Sequence, residues 1–332
     1  MSEPRQIVVG VCTFRRPSLE GTLRSLLALE PPPGVTVRIV VSDNDEIPTA
    51  EGAVRGLAAE AEGAGLDLGY LHSPARNISL ARNALLEEAE RTGASALAFL
   101  DDDEWVRPDW LSRLIEARDV AGADAVFGPV RGVYGEDAPA WMRGGAFHDA
   151  EAELDAQGRV RTGYSGNVLI DVGAPAFRGR RFDLAHGRTG GEDTAFFEGA
   201  RRAGAILAPA PLAEAFEHVP AYRARADWLA RRRFRAGQTH GELIGQGASP
   251  ARRLGLAGVA GAKVAACLAM AAAQGLSPAR RNRALLRGCL HAGAASRLLG
   301  SRPLVLYGDA EPSQARPAPP FPASPPTDGR TS

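Results

Sequence analysis

The segment ALAFLDDDEW, residues 96–105, decides the fold. Residues 96–100 are a short apolar run of the kind that forms a buried strand. The run ends abruptly in four consecutive acids, Asp101, Asp102, Asp103 and Glu104. Ligands of a doubly wound sheet lie beyond the carboxyl ends of its strands, so these acids fall where a site is expected. Adjacent carboxylates repel one another, and a hard cation such as Mg²⁺ or Mn²⁺ relieves that repulsion. A solvated acidic loop is the alternative.

Strand and helix patterns alternate along the first half of the chain. Short β-branched runs are typical of buried parallel strands, and leucines on one face predict the intervening helices. Strands are predicted at 6–12, 36–42, 68–71, 96–100, 123–131 and 165–170, and helices at about 18–29, 49–63 and 79–90. The strand–helix–strand order implies right-handed crossovers. The pattern therefore predicts an α/β fold, in which helices flank a mostly parallel, Rossmann-like central sheet.

The composition narrows the functional classes. Among 332 residues, 39 basic and 39 acidic side chains cancel, so the chain lacks the charge of a nucleic-acid binder. Its three cysteines, Cys12, Cys267 and Cys289, form neither a disulfide framework nor a metal clip. The amino terminus has no charged segment followed by an apolar one, so no signal peptide is expected. These features favour a cytoplasmic protein without a nucleic-acid partner.

The sequence changes character after about residue 225. We therefore expect a catalytic domain at 1–225, a helical extension at 226–305 and a proline-rich, disordered tail at 306–332. Within the extension, residues 254–276 approach the length of a membrane span, but Ala and Gly dominate and Lys263 lies in the middle. This segment is compatible with a helix that rests on the cytoplasmic face of the inner membrane, or with a dimer interface.

Seven motifs resemble those of family 2 glycosyltransferases of the GT-A fold and stand in the same order. They are VCTFRRP (11–17), VSDND (41–45), ISLARNALLEEA (78–89), FLDDDEW (99–105), SGNVLI (165–170), TGGEDTAFF (189–197) and EAFEHVPAYRARADWLARRRFRAG (214–237). FLDDDE is similar to the DxD motif of that family, and the resemblance covers about residues 5–240. Within the family, the amino-acid sequence resembles those of bacterial exopolysaccharide glucosyltransferases of the succinoglycan-biosynthesis type.

The resemblance implies an activity and a cofactor. The activity is the inverting transfer of a sugar, glucose from UDP-glucose, onto a saccharide acceptor that is often lipid-linked. The cofactor is Mg²⁺ or Mn²⁺, because a cation neutralises the charge that grows on the departing nucleoside diphosphate. By the family pattern Asp103 binds this metal, and His218 stands where many relatives supply a further ligand. For His218, a partly buried structural histidine is the alternative reading.

The resemblance also implies roles for the other site residues. Asp193 is expected to take the proton from the acceptor hydroxyl, and Glu192 to orient the acceptor, although both also suit an acidic first helix turn. The nucleotide-sugar is expected to contact Thr13, Arg16, Asp43, Arg82, Asp101 and Asp102, and the acceptor to contact Gly166, Asn167 and Trp105. Structural alternatives are a surface position for Arg82, a turn cap for Asp43 and core packing for Trp105.

Two other functional classes remain open. A nucleotidyltransferase on a related scaffold would require a glycine-rich, basic phosphate loop after the first strand, and CTFRRPSLEG has no glycine cluster. A catalytically silent scaffold protein would be expected to have lost the acids of the DxD or the Glu-Asp motif, and both are present.

Overall fold

The computed structural model describes residues 5–187 and 190–304. This part of the chain forms two compact units, of which the first contains residues 5–131 and 149–218. The second unit contains residues 132–148 and 219–304. The sequence placed the domain boundary at 225/226, but the second unit begins at Val219 and also takes in 132–148. Apolar side chains of that segment, such as Met142 and Phe147, share a core cluster with Leu229 and Leu286, which explains the difference. The tail at 306–332 lies outside the described residues.

Twelve strands and ten helices make up the described part of the chain. The strands are β1 (Arg5–Thr13), β2 (Val35–Asp43), β3 (Asp67–His72), β4 (Ala96–Asp101), β5 (Glu104–Val106), β6 (Ala125–Phe127), β7 (Val130–Tyr134), β8 (Glu153–Leu154), β9 (Val160–Thr162), β10 (Asn167–Asp171), β11 (Leu207–Pro209) and β12 (Ala215–Val219). The helices are α1 (Leu19–Leu27), α2 (Glu51–Gly56), α3 (Ala58–Gly63), α4 (Ile78–Arg91), α5 (Trp110–Ala121), α6 (Ala140–Arg143), α7 (Glu192–Arg202), α8 (Ala226–Gly245), α9 (Pro250–Ala273) and α10 (Pro278–Leu298).

A seven-stranded sheet of order β11-β6-β10-β4-β1-β2-β3 forms the centre of the first unit. Only β10 runs antiparallel to its neighbours in this sheet; it lies between β4 and β6. Both faces of the sheet are buried: Ile7, Val9 and Val11 of β1 belong to one core cluster, and Val8 belongs to the other. Burial on both faces is the reason that the strand sequences are continuously apolar rather than alternating. The expectation of a mostly parallel sheet with flanking helices is confirmed.

The stretch 123–131, predicted as one strand, forms two. β6 ends at Phe127, and β7 begins at Val130. Gly128 passes so close to the Ala213 carbonyl oxygen and the Asn167 amide that a Cβ atom would overlap both. Pro129, which follows, has no N–H to donate to a neighbouring strand. The chain therefore leaves the central sheet at this point.

The second unit is mainly helical, with α10 packed against both α8 and α9. Glycines bring α8 and α10 close together: a Cβ on Gly237 would overlap the backbone of Leu290, and one on Gly293 would overlap the backbone of Phe234. Among the described residues, one helix, α9, is long and apolar enough to cross a membrane by length and composition alone.

His148 is buried in the second unit as a neutral imidazole. Its Nε2 lies 3.1 Å from the carbonyl oxygen of Arg223, which can only accept, so Nε2 carries the proton. The hydroxyl of Tyr134 then donates to Nδ1 at 2.8 Å, and the indole of Trp228 stacks on the ring. Burial, together with the charge of Arg232, lowers the pKa of His148 to about 4.

We expect the stability of the protein to fall as the pH falls from about 6.5 toward about 4. In that window the unfolded chain binds a proton at His148 that the folded chain rejects, so acid favours unfolding. His148→Gln removes this titration and should flatten the pH dependence of the free energy of unfolding, measured with urea. The exposed His186→Gln is the control and should keep the wild-type slope. Equal slopes for wild type and His148→Gln would contradict the assignment.

Candidate active site

Three parallel strands end together at the centre of the site. Their register aligns Thr13 of β1 with Asp43 of β2, and Cys12 of β1 with Asp101 of β4. The acid run therefore begins at the carboxyl edge of the sheet, where the sequence placed it.

Asp102, the middle aspartate, is held by the loop that follows β1. Its carboxylate accepts a hydrogen bond of 2.7 Å from Thr13 Oγ1, and its carbonyl oxygen accepts one of 2.9 Å from Ser18 Oγ. The guanidinium of Arg16 lies 3.6 Å from the Asp102 carboxylate and 3.9 Å from that of Asp103. Burial raises the pKa of Asp102, and the adjacent charge of Asp103 adds to this rise. In this structure Thr13 and Arg16, expected at the nucleotide-sugar, bind the acid run itself.

Asp101 and Glu104 lie side by side at the end of β4. Burial raises the pKa of Asp101 to about 6, with further contributions from the charges of Asp103 and Asp193. Burial, with the charge of Asp101, also raises the pKa of Glu104 well above its ordinary value. Gly166 lies against both acids: a Cβ there would come within 3.1 Å of a carboxylate oxygen of each. The chain segment that leads into β10 therefore passes close to both carboxylates.

A buried ion pair joins α4 to α7. Arg82 Nη1 donates to Glu192 Oε1 at 2.5 Å, and each side chain is 9% exposed. The guanidinium also lies 5.5 Å from the ring centroid of Phe182. Burial opposes the charge of Arg82, but Glu192, Asp101 and Asp193 together keep its pKa above the ordinary value. Arg82 is therefore not a surface arginine of α4.

Asp193, the expected base, lies in the first turn of α7. Two glycines with positive φ, Gly190 at 81° and Gly191 at 95°, lead the chain into this turn. The Asp193 carboxylate accepts the Thr194 N–H at 2.7 Å. Burial raises the pKa of Asp193, and the charge of Glu192 raises it further, whereas Arg82 lowers it. Asp193 and Asp101 thus lie within electrostatic reach of the same buried guanidinium.

The two residues expected to bind metal fall on facing chain segments. β5 and β12 are antiparallel, with Glu104 opposite Glu217 and Trp105 opposite Phe216. Asp103 directly precedes Glu104, in the turn between β4 and β5, and His218 directly follows Glu217 in β12. Burial lowers the pKa of His218, which favours the neutral imidazole that binds metals.

The donor set fits a magnesium or manganese ion shared with a substrate. Within the described ranges, no cluster of three or more His, Cys, Asp or Glu side chains is arranged to hold a metal. An all-protein metal cage is therefore not formed by these residues. A carboxylate and an imidazole suit an ion that takes its other ligands from phosphate and water.

The carboxylate of Asp43, expected at the nucleotide base, is engaged within the fold. Asp43 is fully buried, and its carboxylate accepts the N–H groups of Asp45 at 3.0 Å and Ala50 at 2.8 Å. The hydroxyl of Tyr70 donates to it at 2.9 Å. Asp43 therefore shapes the loop after β2, which agrees with the turn-capping alternative.

Asn167, expected to contact the acceptor, is likewise engaged within the fold. It is fully buried, its Oδ1 accepts from Trp110 Nε1 at 2.9 Å, and its Nδ2 donates to the carbonyl oxygens of Pro129 and Ala213. These partners occupy the amide completely, so its observed role is to join β10 to α5 and to the chain around β6.

Trp105 packs in the core rather than facing a ligand. The side chain is 2% exposed, and its ring centroid lies 5.7 Å from that of Phe216 and 4.5 Å from that of His218. Burial of this indole agrees with the core-packing alternative to its expected contact with the acceptor. Its contact with the His218 ring gives it a supporting role.

Three site features were not foreseen from the sequence. Glu104 was noted as the fourth acid but given no role. Cys12 adjoins Thr13 and is held as a neutral thiol, since burial raises its pKa to about 12. Arg15, which has a φ of 53°, donates to the buried Asp45 carboxylate through Nε at 2.6 Å and Nη2 at 2.9 Å. The arginine pair in VCTFRRP and the second aspartate of VSDND were the available signals.

Comparison with known proteins identifies the family. The model of glycosyl transferase family 2 matches residues 8–187, more than half of the chain. The chain is 47% identical over 314 residues to succinoglycan biosynthesis protein ExoM of Rhizobium meliloti (strain 1021), covering 95% of this chain and 99% of that protein. The chain therefore belongs to glycosyltransferase family 2.

Solved structures show the fold. Mannosyltransferase PcManGT from Pyrobaculum calidifontis, in complex with GDP-Man and Mn²⁺, aligns with a TM-score of 0.57 at 20% identity and covers 89% of this chain and 88% of that chain. S. aureus TarS 1-349 in complex with UDP-GlcNAc aligns with a TM-score of 0.50 at 17% identity, covering 89% and 92%. The fold is GT-A, as expected from the motifs, with helices beyond the catalytic sheet.

Removal of the Arg82 guanidinium should strongly destabilise the protein. Arg82→Met leaves buried acids without their cation, so we expect a loss of about 3–5 kcal/mol in the free energy of unfolding. The double variant Arg82→Met/Glu192→Gln should recover part of this loss, because it also removes a buried charge. Urea unfolding measures both. Arg181→Met, which breaks a more exposed pair with Glu90, should cost only about 0–1 kcal/mol. A single-variant loss as small as this control would contradict the buried-pair argument.

Proposed function

We propose that this chain is an inverting hexosyltransferase that moves glucose from UDP-glucose onto a lipid-linked saccharide during surface polysaccharide synthesis. One observation carries the proposal: the acid at the end of β4 and the acid of α7 are both within electrostatic reach of Arg82. The proposed nucleotide-sugar site and the proposed base for the acceptor hydroxyl would then lie near the same arginine. The 47% identity to a succinoglycan biosynthesis protein supports an acceptor and product of that class.

Asp103 and His218 are the proposed metal ligands. The metal, Mg²⁺ or Mn²⁺, supplies charge neutralisation for the diphosphate of the donor when it is bound. Their places along the chain support this assignment, because Asp103 directly precedes Glu104 and His218 directly follows Glu217, and these two glutamates are paired between β5 and β12. A neighbour of the same fold was solved with GDP-Man and Mn²⁺, and another with UDP-GlcNAc, which supports a nucleotide-sugar donor.

Asp193 is the proposed base that removes the proton from the acceptor hydroxyl. Burial and the charge of Glu192 raise its pKa, and a carboxylate with a raised pKa is a stronger base when ionised. Glu192 is held by Arg82 and therefore positions the first turn of α7 rather than binding the acceptor directly. Of the two acids, this leaves Asp193 for the transferred proton.

The proposed location is the cytoplasm, at the surface of the inner membrane. UDP-glucose as donor and a lipid-linked acceptor would meet at this boundary. The acceptor, the linkage formed and the membrane contact belong to the proposal together.

Binding and turnover of a donor panel test the proposal. Calorimetry with UDP-, GDP- and dTDP-sugars, with and without Mn²⁺ or Mg²⁺, should reveal metal-dependent binding of UDP-glucose. Asp103→Ala should abolish that metal dependence. Asp193→Asn should keep donor binding but lower kcat by about 10²–10⁴, because only the proton acceptor is lost. The exposed Asp137→Ala, in the second unit, is the control and should behave as wild type.

The same experiment separates the competing outcomes. Binding of a different nucleotide-sugar would replace UDP-glucose while leaving the transferase assignment intact. Failure to bind any nucleotide-sugar under any metal condition would overturn the transferase and favour a silent scaffold. Full turnover by Asp193→Asn would remove Asp193 as the base.

A further inference from the structure

Helix α9 is buried along only one narrow stripe. Its buried residues are Ala257, Ala260, Cys267 and Ala271, whose spacing places them on one face. α9 packs against α10, and only 22% of the most apolar window of α9 is buried. Most of the circumference of this 24-residue helix, about 36 Å long, therefore faces outward.

The outward surface of α9 is apolar, the reverse of an ordinary surface helix. Leu254 is 65% exposed, Val259 55% and Leu268 54%. The exposed positions between them are almost all Gly and Ala, with Lys263 as the single charge. A surface helix of a globular protein normally carries polar residues on its outer side. We call this surface, from Leu254 to Met270, the outer face of α9.

Positive charge is concentrated in the same region of the chain. Residues 243–304 contain no Asp or Glu, but nine basic residues: Arg252, Arg253, Lys263, Arg280, Arg281, Arg283, Arg287, Arg297 and Arg302. The whole chain has no net charge, so this excess is local. Burial lowers the pKa of His291, and the charges of Lys263 and Arg287 lower it further, which places cations of α9 and α10 close to one imidazole.

We propose that the outer face of α9 binds an anionic lipid bilayer, with the helix lying in the headgroup region. Apolar side chains enter the boundary of the hydrocarbon, while surrounding cations contact the lipid phosphates. An apolar helix face accompanied by basic residues, without acidic ones, is typical of segments that bind an anionic lipid bilayer. The inference rests on the membrane location in the proposed function and deepens it by naming the helix and the lipid chemistry, but it does not depend on the sugar-transfer chemistry.

The packing of α9 argues against a helix that crosses the bilayer. A loop of a few residues joins it to α10, and the two helices pack together. α10 carries Arg280, Arg281, Arg283, Arg287 and Arg297, and two of these donate to backbone carbonyls within the second unit: Arg283 to Gly145 and Arg297 to Ser301. If α9 crossed the bilayer, either the arginine-rich α10 would enter the hydrocarbon with it, or α9 would lose its packing against α10.

A second copy of the chain is the rival occupant of the outer face. Small residues such as Gly261, Ala265 and Ala269 would allow two helices to approach closely. However, a pair of such faces would bring two sets of like charges together, with no acid between 243 and 304 to balance them. Charge complementarity therefore favours the anionic membrane.

Vesicle flotation of the full chain, without donor or acceptor, tests the proposal. The protein should float with vesicles of equimolar phosphatidylcholine and phosphatidylglycerol but not with pure phosphatidylcholine, and high salt should release it. Val259→Ser/Leu268→Ser should weaken binding about tenfold or more, since apolar burial is lost. Lys263→Gln/Arg281→Gln should weaken it about 25-fold, roughly fivefold for each cation.

Matched controls lie in the first unit. Val120→Ser removes an exposed aliphatic side chain of α5, and Arg55→Gln removes an exposed cation of α2. Both should float as wild type. Circular dichroism of the α9 variants must show unchanged helix content, so that weaker binding reflects the surface and not unfolding.

Three results would overturn the proposal. The first is equal flotation with both vesicle types, or with neither. The second is a lipid-free dimer, seen by analytical ultracentrifugation, that Val259→Ser/Leu268→Ser dissociates. The third is a cellular protein that resists extraction by alkaline carbonate, which would indicate a crossing helix. None of these bears on donor binding, so the transferase proposal is tested separately.

Discussion

The site depends on one buried positive charge. The guanidinium of Arg82 is the cation that the acids of β4 and α7 share, and it joins residues 110 positions apart in the sequence. Buried carboxylates without such a partner would be protonated or would destabilise the fold. Because Arg82 favours their ionised forms while burial opposes them, the pKa values of Asp101 and Asp193 are raised only in part. This balance keeps two acids close together in the site that we propose for the donor diphosphate.

The three consecutive aspartates differ in their contacts. Asp102 is tied by Thr13, Ser18 and Arg16, so it fixes the conformation of the loop after β4. Asp101, which lies beside Arg82, and Asp103 flank this anchored residue. Preorganisation of this kind reduces the rearrangement that donor binding requires.

The two units differ in how their charged residues are distributed. In the first, buried acids are paired with arginines: Glu192 with the buried Arg82, and Asp45 with the half-exposed Arg15. In the second, arginines surround an apolar helix over a long stretch that has no acid at all. The zero net charge of the chain hides this separation. A polysaccharide transferase with a lipid-linked acceptor would use both features, one for the diphosphate and one for the bilayer.

The sequence by itself determined the family, the mostly parallel sheet and the position of the acid run at a strand end. These follow from local patterns: apolar runs, helical periodicity and the order of short motifs. The tertiary structure decided which motif side chains are engaged or enclosed by other parts of the protein. Asp43, Asn167 and Trp105 carry family-like positions, but buried partners far along the chain occupy or enclose them. The strand break at Gly128 likewise arises from its close approach to Ala213. Burial and pairing are sums over long-range contacts, and a linear motif does not contain them.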